Sequence, residues 1–235
     1  MQCHDTLILF GDGVSVEKLT QVSDCFSDAE LRPSTQSVLA LIVIANVDDQ
    51  RLARAFERPS KGCFEVVEQT EIPKDIFVKS FSTDDFSFSF SSKTVYRLPV
   101  AHCITNALFT HFDLKPSLRD NVEMALHEAL VNAVVHGNLE LGHIRKDSLD
   151  SLQSFDEEAE VRLSDPEFSL RKIDVSIECL KTTIEIKVVD QGEGFSIDHD
   201  AWHDLPWRGI NLISTLTSSV RAGESGEPLT MIFDR

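Results

Sequence analysis

The sequence predicts an α/β fold, because short apolar runs of strand length alternate with segments of helical periodicity. Residues 38–45 are continuously apolar, which is typical of a strand buried on both faces of a parallel sheet. Residues 183–189 are rich in hydrophobic β-formers, which predicts a strand, and they lead into an acidic, glycine-containing turn. A chain of 235 residues can bury one large core or two modest ones. We expect two domains, 1–78 and 79–235.

The first domain is predicted to be a small α/β module. Its expected strands are 6–10, 38–45 and 63–67, and its expected helices are 15–26 and 48–57. This alternation resembles a shortened receiver-like or flavodoxin-like half. A receiver needs a cluster of acidic residues around a phosphorylatable aspartate, whereas Asp12 alone follows the first strand here. Asn46 and Asp48 follow the second predicted strand. The sequence therefore favours a degenerate interaction module.

The second domain has a different sequence pattern from the first. Phenylalanines alternate with polar residues over 81–90, which predicts a half-buried antiparallel strand. Helices are expected over 98–112, 116–136 and 207–218, and strands over 172–178, 183–189 and 229–233. Gly137 would end the second of these helices. An acidic insertion is expected at 139–170, because from Asp147 to Glu167 the chain has eight acidic residues and one basic residue, Arg162. Such a run predicts a solvated, mobile segment.

Composition limits the classes of function. The net charge of −17 argues against a nucleic acid as the main partner, since phosphate binding needs a basic surface. The five cysteines are scattered without a metal-binding spacing and are expected to be reduced thiols. There is no basic leader at the start and no apolar run near the roughly 18 residues that span a bilayer. We therefore expect a cytoplasmic protein that binds neither nucleic acid nor membrane.

One predicted helix has a chemically selective polar face. Glu128 and Asn132 are four residues apart, so they share a face, and His136 would extend it by one turn. The rest of the helix is small and apolar. An asparagine oxygen can ligate magnesium, and a glutamate can act as a base toward a hydroxyl. A solvated surface pair is the alternative interpretation, since most polar pairs at this spacing are only that.

A second segment ends a strand with Asp190, followed by Gly192 and Gly194. The carboxylate follows hydrophobic β-formers, so it should be partly desolvated and should need hydrogen-bond donors. The exocyclic amine of adenine is one such donor, and the glycines would let a ligand pass. A simple turn between strands is the alternative.

Taken together, these segments resemble the Bergerat-fold (GHKL) ATP-binding domain, in particular the anti-sigma-factor serine kinase group. Glu128-x-x-x-Asn132 with His136-Gly137-Asn138 is similar to the first box of that family. Asp190-x-Gly192-x-Gly194-Phe195 resembles the second box, and Arg208-Gly209-Ile210 the third. Thr230 lies where the family places a hydroxyl near the adenine-binding aspartate. The resemblance covers about residues 80–235 and implies a Bergerat-fold α/β sandwich.

The resemblance implies a role for each of these residues. Asn132 would ligate Mg²⁺, and Glu128 would orient or deprotonate the attacking hydroxyl. Asp190 would accept from adenine, with Thr230 nearby. The remaining residues implied to bind the nucleotide are His136, Gly192, Gly194, Arg208 and Gly209. ATP and Mg²⁺ are the implied cofactors.

By the same resemblance, the chain would be a serine/threonine kinase that acts by partner switching. The implied substrate is a serine on an anti-sigma antagonist of the STAS type, and a sigma factor is a further implied partner. Trp207 departs from the pattern, because the family usually has glycine there. Trp207 and the acidic composition therefore favour one alternative, a non-catalytic binding regulator that uses nucleotide or none. The catalytic half of a histidine kinase is a further alternative, although no phosphoacceptor helix pair precedes the domain. The oligomeric state stays open between monomer and homodimer.

Overall fold

The computed structural model of the chain describes residues 6–27, 38–57, 62–67, 86–112, 114–141, 149–192, 208–221 and 228–235. The strands are β1 Thr6–Asp12, β2 Val38–Ile44, β3 Gly62–Glu65, β4 Phe86–Ser91, β5 Lys172–Cys179, β6 Thr183–Val189, β7 Ser219–Arg221 and β8 Leu229–Asp234. The helices are α1 Val16–Ser27, α2 Asp49–Phe56, α3 Ser92–Arg97, α4 Val100–His111, α5 Pro116–Asn132, α6 Leu149–Ser164, α7 Pro166–Ser169 and α8 Arg208–Leu216. A π-helical turn, Ala133–Asn138, continues α5.

The described strands form one mixed sheet in the order β1-β2-β3-β4-β5-β6-β8-β7. The pairs β1–β2, β2–β3 and β3–β4 are parallel, and the pairs β4–β5, β5–β6, β6–β8 and β8–β7 are antiparallel. Since β3 pairs with β4, the sheet continues from the predicted first domain into the predicted second one. The boundary between residues 78 and 79 lies outside the described residues and stays a prediction.

Strands β2 and β3 are buried on both faces, as the apolar sequence of β2 predicts: Ile42, Val43 and Ile44 are all buried, and so are Cys63 and Phe64. On one face a Cβ added at Gly11 would lie 2.7 Å from Leu19 of α1, and Gly11 pairs in register with the fully buried Val43. On the other face Leu52 of α2 joins the main core beside Ile44. The predicted α/β alternation is therefore confirmed for this part of the chain.

The receiver-like assignment is not confirmed. Flavodoxin-like sheets place the first strand between the second and third, whereas here β2 lies between β1 and β3. The acidic residues that follow the strands have structural partners: Asp12 pairs with Arg54 at 3.0 Å, and Asp48 caps α2 by accepting from the Arg51 amide at 2.8 Å.

Strand β4 lies in the interior of the sheet, and all six of its residues are buried. The expectation of a half-buried strand was wrong here, because the Phe–Ser alternation reports which residues share a face but not that both faces are covered. The buried Ser89 hydroxyl donates to the carboxylate of Asp174, its neighbour on β5. Burial raises the pKa of Asp174, and the Ser89 hydrogen bond partly offsets this.

Helices α4 and α5 pack on one face of the sheet and form most of the core. The α5 side chains Val122, Leu126 and Leu130 are buried there with Ile186 of β6 and Met231 of β8. The strands predicted over 172–178, 183–189 and 229–233 are confirmed as β5, β6 and β8, and burial alternates along each of them. The strand β7 was not predicted, since three residues carry too short an alternation to recognise.

The acidic stretch is not the mobile segment that its charge suggested. Residues 149–164 form α6, whose Ala159 and Leu163 are buried against the core. Its single basic residue, Arg162, donates to the Leu139 carbonyl at 2.6 Å and lies over the Phe168 ring at 4.9 Å. The apolar stripe at i and i+4 that anchors α6 is a helical signal that the charge count obscured. None of the described helices is both long and apolar enough to cross a bilayer.

Candidate functional site

The polar face of α5 meets the beginning of α8. Glu128 and Asn132 are half-buried one turn apart on α5. A Cβ added at Gly209 would lie 3.0 Å from Glu128 Oε2 and 3.1 Å from Asn132 Nδ2. The structure therefore brings together the predicted base, the predicted metal ligand and the glycine of the third motif. The carboxylate also lies near the N-terminal end of α8, where the helix dipole favours negative charge.

The end of α5 differs from the expected glycine stop. The backbone continues as a π-turn through Asn138, in which the Leu139 amide donates to Val134 O, five residues back, at 2.8 Å. Such turns concentrate at functional sites. His136 is exposed on this turn, and its Nδ1 lies 3.1 Å from the carbonyl of Leu141. Its role in nucleotide binding stays a prediction.

Gly137 is needed for close approach rather than for helix termination. A Cβ at Gly137 would lie 2.5 Å from the Asp190 carboxylate carbon, and a Cβ at Gly192 would lie 2.5 Å from Gly137 O. Any larger side chain at either position would overlap the facing segment. The π-turn and the Asp190 turn are therefore in direct backbone contact, and this contact places the aspartate beside the end of α5.

Substituting Gly137 is expected to destabilise the protein. Gly137→Ala places a methyl group inside the contact distance of Asp190, and overpacking of this kind costs about 2 kcal/mol. Gly11→Ala is the matched control, because its Cβ would meet the flexible end of Leu19 instead. Urea unfolding of both variants measures the difference. Equal stabilities would contradict the close approach at Gly137.

Asn138 is the functional residue whose role the sequence did not reveal. Its side chain is fully buried; Nδ2 donates to Ser92 Oγ at 2.9 Å and to Lys172 O at 3.1 Å, and Oδ1 accepts from the Gln191 amide at 2.7 Å. Asn138 thereby ties the end of α5 to the turn after β6 and to the start of β5. Nothing in the sequence marks an asparagine as buried, because its three partners lie on distant segments.

Asp190 is half-buried at the end of β6, and its Oδ1 accepts from the Gly192 amide at 2.9 Å. Burial raises the pKa of this carboxyl, and the Gly192 hydrogen bond partly counters the shift. The expected desolvation is therefore present. A carboxylate in this state gains from an additional donor such as an amine.

The other predicted site residues are only partly placed. Thr230 pairs with Lys187 of β6, and it alternates with the buried Leu229 and Met231, which puts it on the opposite face of the sheet from them. Its contact with adenine stays a prediction.

Arg208 begins α8, while Gly194 and Trp207 lie outside the described residues. Among the described residues no cluster of three or more His, Cys, Asp or Glu side chains could hold a metal ion.

The fold and the site together define a class of protein. A mixed sheet covered by helices, with an Asn-bearing helix, an aspartate turn and a glycine at the start of a third element, is the α/β sandwich of the Bergerat-fold nucleotide sites. The chain belongs to the histidine kinase-like ATPase domain family, which it matches over residues 90–233. Members of this family bind ATP, generally with Mg²⁺. Comparison with curated proteins finds no match.

Proposed function

We propose that the chain is an ATP- and Mg²⁺-dependent serine/threonine protein kinase of the anti-sigma-factor type. It would act as a partner-switching regulator that phosphorylates a STAS-type antagonist, and it would also bind a sigma factor. The closeness of Gly209 to Glu128 and Asn132 supports the proposal, since the start of α8, which would bind phosphate, would lie beside the proposed base and the proposed metal ligand. The family match supports nucleotide binding.

The residues present fit this chemistry. Asn132 supplies one neutral oxygen, which suits Mg²⁺, because that ion is usually held by one or two protein ligands together with substrate phosphates. The backbone amides at the start of α8 would hold phosphate oxygens. Glu128 would accept the proton of the attacking serine hydroxyl, and Asp190 would accept from the adenine amine. Bound Mg²⁺ would neutralise charge on the phosphates.

Two measurements test the proposal in order. Calorimetry should show ATP binding that requires Mg²⁺, and Asn132→Ala should weaken the binding measured with Mg²⁺ present. Asn121→Ala is the matched control, because that side chain is exposed on the same helix. Incubation with labelled ATP and a STAS-type protein should then give acid-stable phosphoserine. Binding without transfer to any STAS protein would refute the kinase and keep the nucleotide site.

Asp190→Asn should have opposite effects on ATP affinity and on stability. ATP affinity should fall about 10- to 100-fold, because the amine loses a charged acceptor. The free protein should become more stable at neutral pH, because no charge is then buried. A raised folded-state pKa means that the wild type loses stability as the pH rises from the ordinary aspartate value through the raised one. The stability gain of Asp190→Asn over the wild type should therefore vanish at low pH, where the wild-type carboxyl is protonated. Thermal unfolding of both proteins across pH measures this difference in stability. A variant that is less stable than the wild type at every pH would contradict a buried, charged Asp190.

A non-catalytic, nucleotide-dependent or nucleotide-free binding regulator is the second candidate. Trp207, which stands where the family usually has glycine, and the net charge of −17 favour it. Absence of ATP binding by the full chain would favour a nucleotide-free regulator. A histidine kinase would need a phosphoacceptor; the exposed His102 instead pairs with Glu123 at 2.9 Å. Acid-labile autophosphorylation lost in His102→Ala would revive that alternative.

A further inference from the structure

A groove with a volume of about 670 Å³ runs along α5. One wall is the segment in which α3 ends and α4 begins, and the other is a stripe of α5 whose members recur every three or four residues. The stripe consists of Asp120, Glu123, Met124, His127 and Val131, and it continues into the π-turn with Val134 and Val135. Glu128 and Asn132 do not line this groove, so it is separate from the site assigned above.

The groove gathers apolar side chains that are exposed to solvent. Leu130 and Val134 in its lining are buried, whereas Tyr96, Met124 and Val131 are 37%, 47% and 40% exposed. These three are half of the six large hydrophobic side chains that are exposed on the described part of the chain. Single exposed apolar residues are normal on a protein surface, but three that line one groove indicate a surface that another molecule covers.

The shape of the groove suits a helix. The stripe from Asp120 to Val131 spans about 17 Å at 1.5 Å per residue, which is the length of about three turns of a second helix. Amphipathic helices bind in such grooves through apolar side chains at i, i+3, i+4 and i+7, and a methionine in the lining adapts to their shape. Small-molecule sites enclose most of their ligand, whereas the lining side chains here remain well exposed.

The charged groups at the edges of the groove are mainly acidic. Asp120 and Glu123 lie on the α5 side. Asp156 and Glu160, one turn apart on α6, approach Tyr96 of α3: burial raises the pKa of the Tyr96 hydroxyl, and these two carboxylates raise it further. The structure thus places carboxylates on both sides of the exposed apolar side chains.

The cations of the groove do not cancel these four carboxylates. Its one guanidinium, that of Arg97, pairs with Glu160, and the imidazole of His102 pairs with Glu123 at 2.9 Å. The other imidazole is that of His127. The remaining two carboxylates form no ion pair with any residue that the structure describes. The summed charge of these groups is negative even when both imidazoles are protonated, so the edges of the groove attract a basic partner.

We propose that the groove binds an amphipathic helix of a protein partner, with apolar side chains on one face and lysine or arginine on both flanks. The apolar face would cover Tyr96, Met124 and Val131, and the basic flanks would meet the carboxylates at the edges. A second copy of the chain is the poorer occupant, because it would bring a net charge of −17 and the same acidic edges. The proposal does not rest on nucleotide binding or on kinase activity.

Binding is tested by titrating the ¹⁵N-labelled full chain with a synthetic helical peptide of about 15 residues, with leucines at i, i+3, i+4 and i+7 and lysines on both flanks. Saturable shifts of the Met124, His127 and Val131 amides are expected. Val131→Ser should weaken binding about fivefold, because apolar contact is lost. Val161→Ser is the matched control, since Val161 is 70% exposed on α6 but does not line the groove. No saturable shift, or equal affinities of the two variants, would overturn the site.

The basic character of the partner is tested by reversing the edge charges. Asp120→Lys combined with Asp156→Lys should weaken the lysine-flanked peptide about tenfold and should strengthen a peptide with glutamates in place of the lysines. Glu17→Lys combined with Asp234→Lys changes the net charge equally at exposed positions elsewhere and should have a much smaller effect.

Three results would overturn the choice of occupant. Equal effects of the two double variants would show that only the net charge of the chain matters. Equal affinities of the wild type for the two peptides would show that the groove is merely apolar. A concentration-dependent dimer of the wild type that sedimentation no longer detects in Val131→Ser would make a second copy of the chain the occupant.

Discussion

Glu128→Gln is expected to slow phosphoryl transfer by about 10²–10⁴-fold while leaving Mg-ATP affinity nearly unchanged. Glutamine keeps the size of the side chain and its contact with Gly209, but it cannot take the proton of the serine hydroxyl. Single-turnover transfer to a STAS-type protein measures the rate, and calorimetry measures the affinity. A change in the transfer rate without a change in Mg-ATP affinity would identify a catalytic role, because a purely structural role of Glu128 would alter both quantities or neither.

Glu123→Gln is the matched control for this experiment. Glu123 lies on the same helix, but its carboxylate pairs with His102 and not with α8. Transfer by this variant should match the wild type. Full transfer by Glu128→Gln would show that another group, or the substrate itself, takes the proton, and the kinase assignment of Glu128 would be wrong.

Asn138→Ala should lower the free energy of unfolding by about 3 kcal/mol, because one buried and two part-buried hydrogen bonds are lost at once. The Gln191 amide and the Lys172 carbonyl would be left without this partner beside the Asp190 turn. Nucleotide affinity should fall as well, since the turn is no longer fixed to the end of α5. Urea unfolding gives the stability, and calorimetry below the unfolding transition gives the affinity.

The control is Asn121→Ala, an exposed asparagine on the same helix, which should change stability by well under 1 kcal/mol. A loss of less than about 1 kcal/mol for Asn138→Ala would mean that the buried hydrogen bonds are replaced by water or by rearrangement. In that case the coupling of the π-turn to the Asp190 turn would be weaker than the geometry indicates.

The sequence predicted most elements correctly, because their signal is local. The apolar run of β2, the hydrophobic β-formers of β6 and the apolar stripe of α5 are each patterns that lie within one segment. The errors arose where burial depends on distant segments. The alternation of β4 could not show that both of its faces are covered, and the charge of α6 concealed the few apolar residues that anchor it.

For the site, the sequence by itself determined the chemical groups: a carboxylate and an amide one turn apart on α5, and an aspartate followed by glycine after β6. Only the tertiary structure decided how they meet. The π-turn, the contact of Gly137 with Asp190 and the burial of Asn138 depend on segments some fifty residues apart coming within van der Waals distance. Such a close approach leaves no periodic pattern in either segment, because it depends on how the two segments meet in the fold and not on the order of residues within one of them.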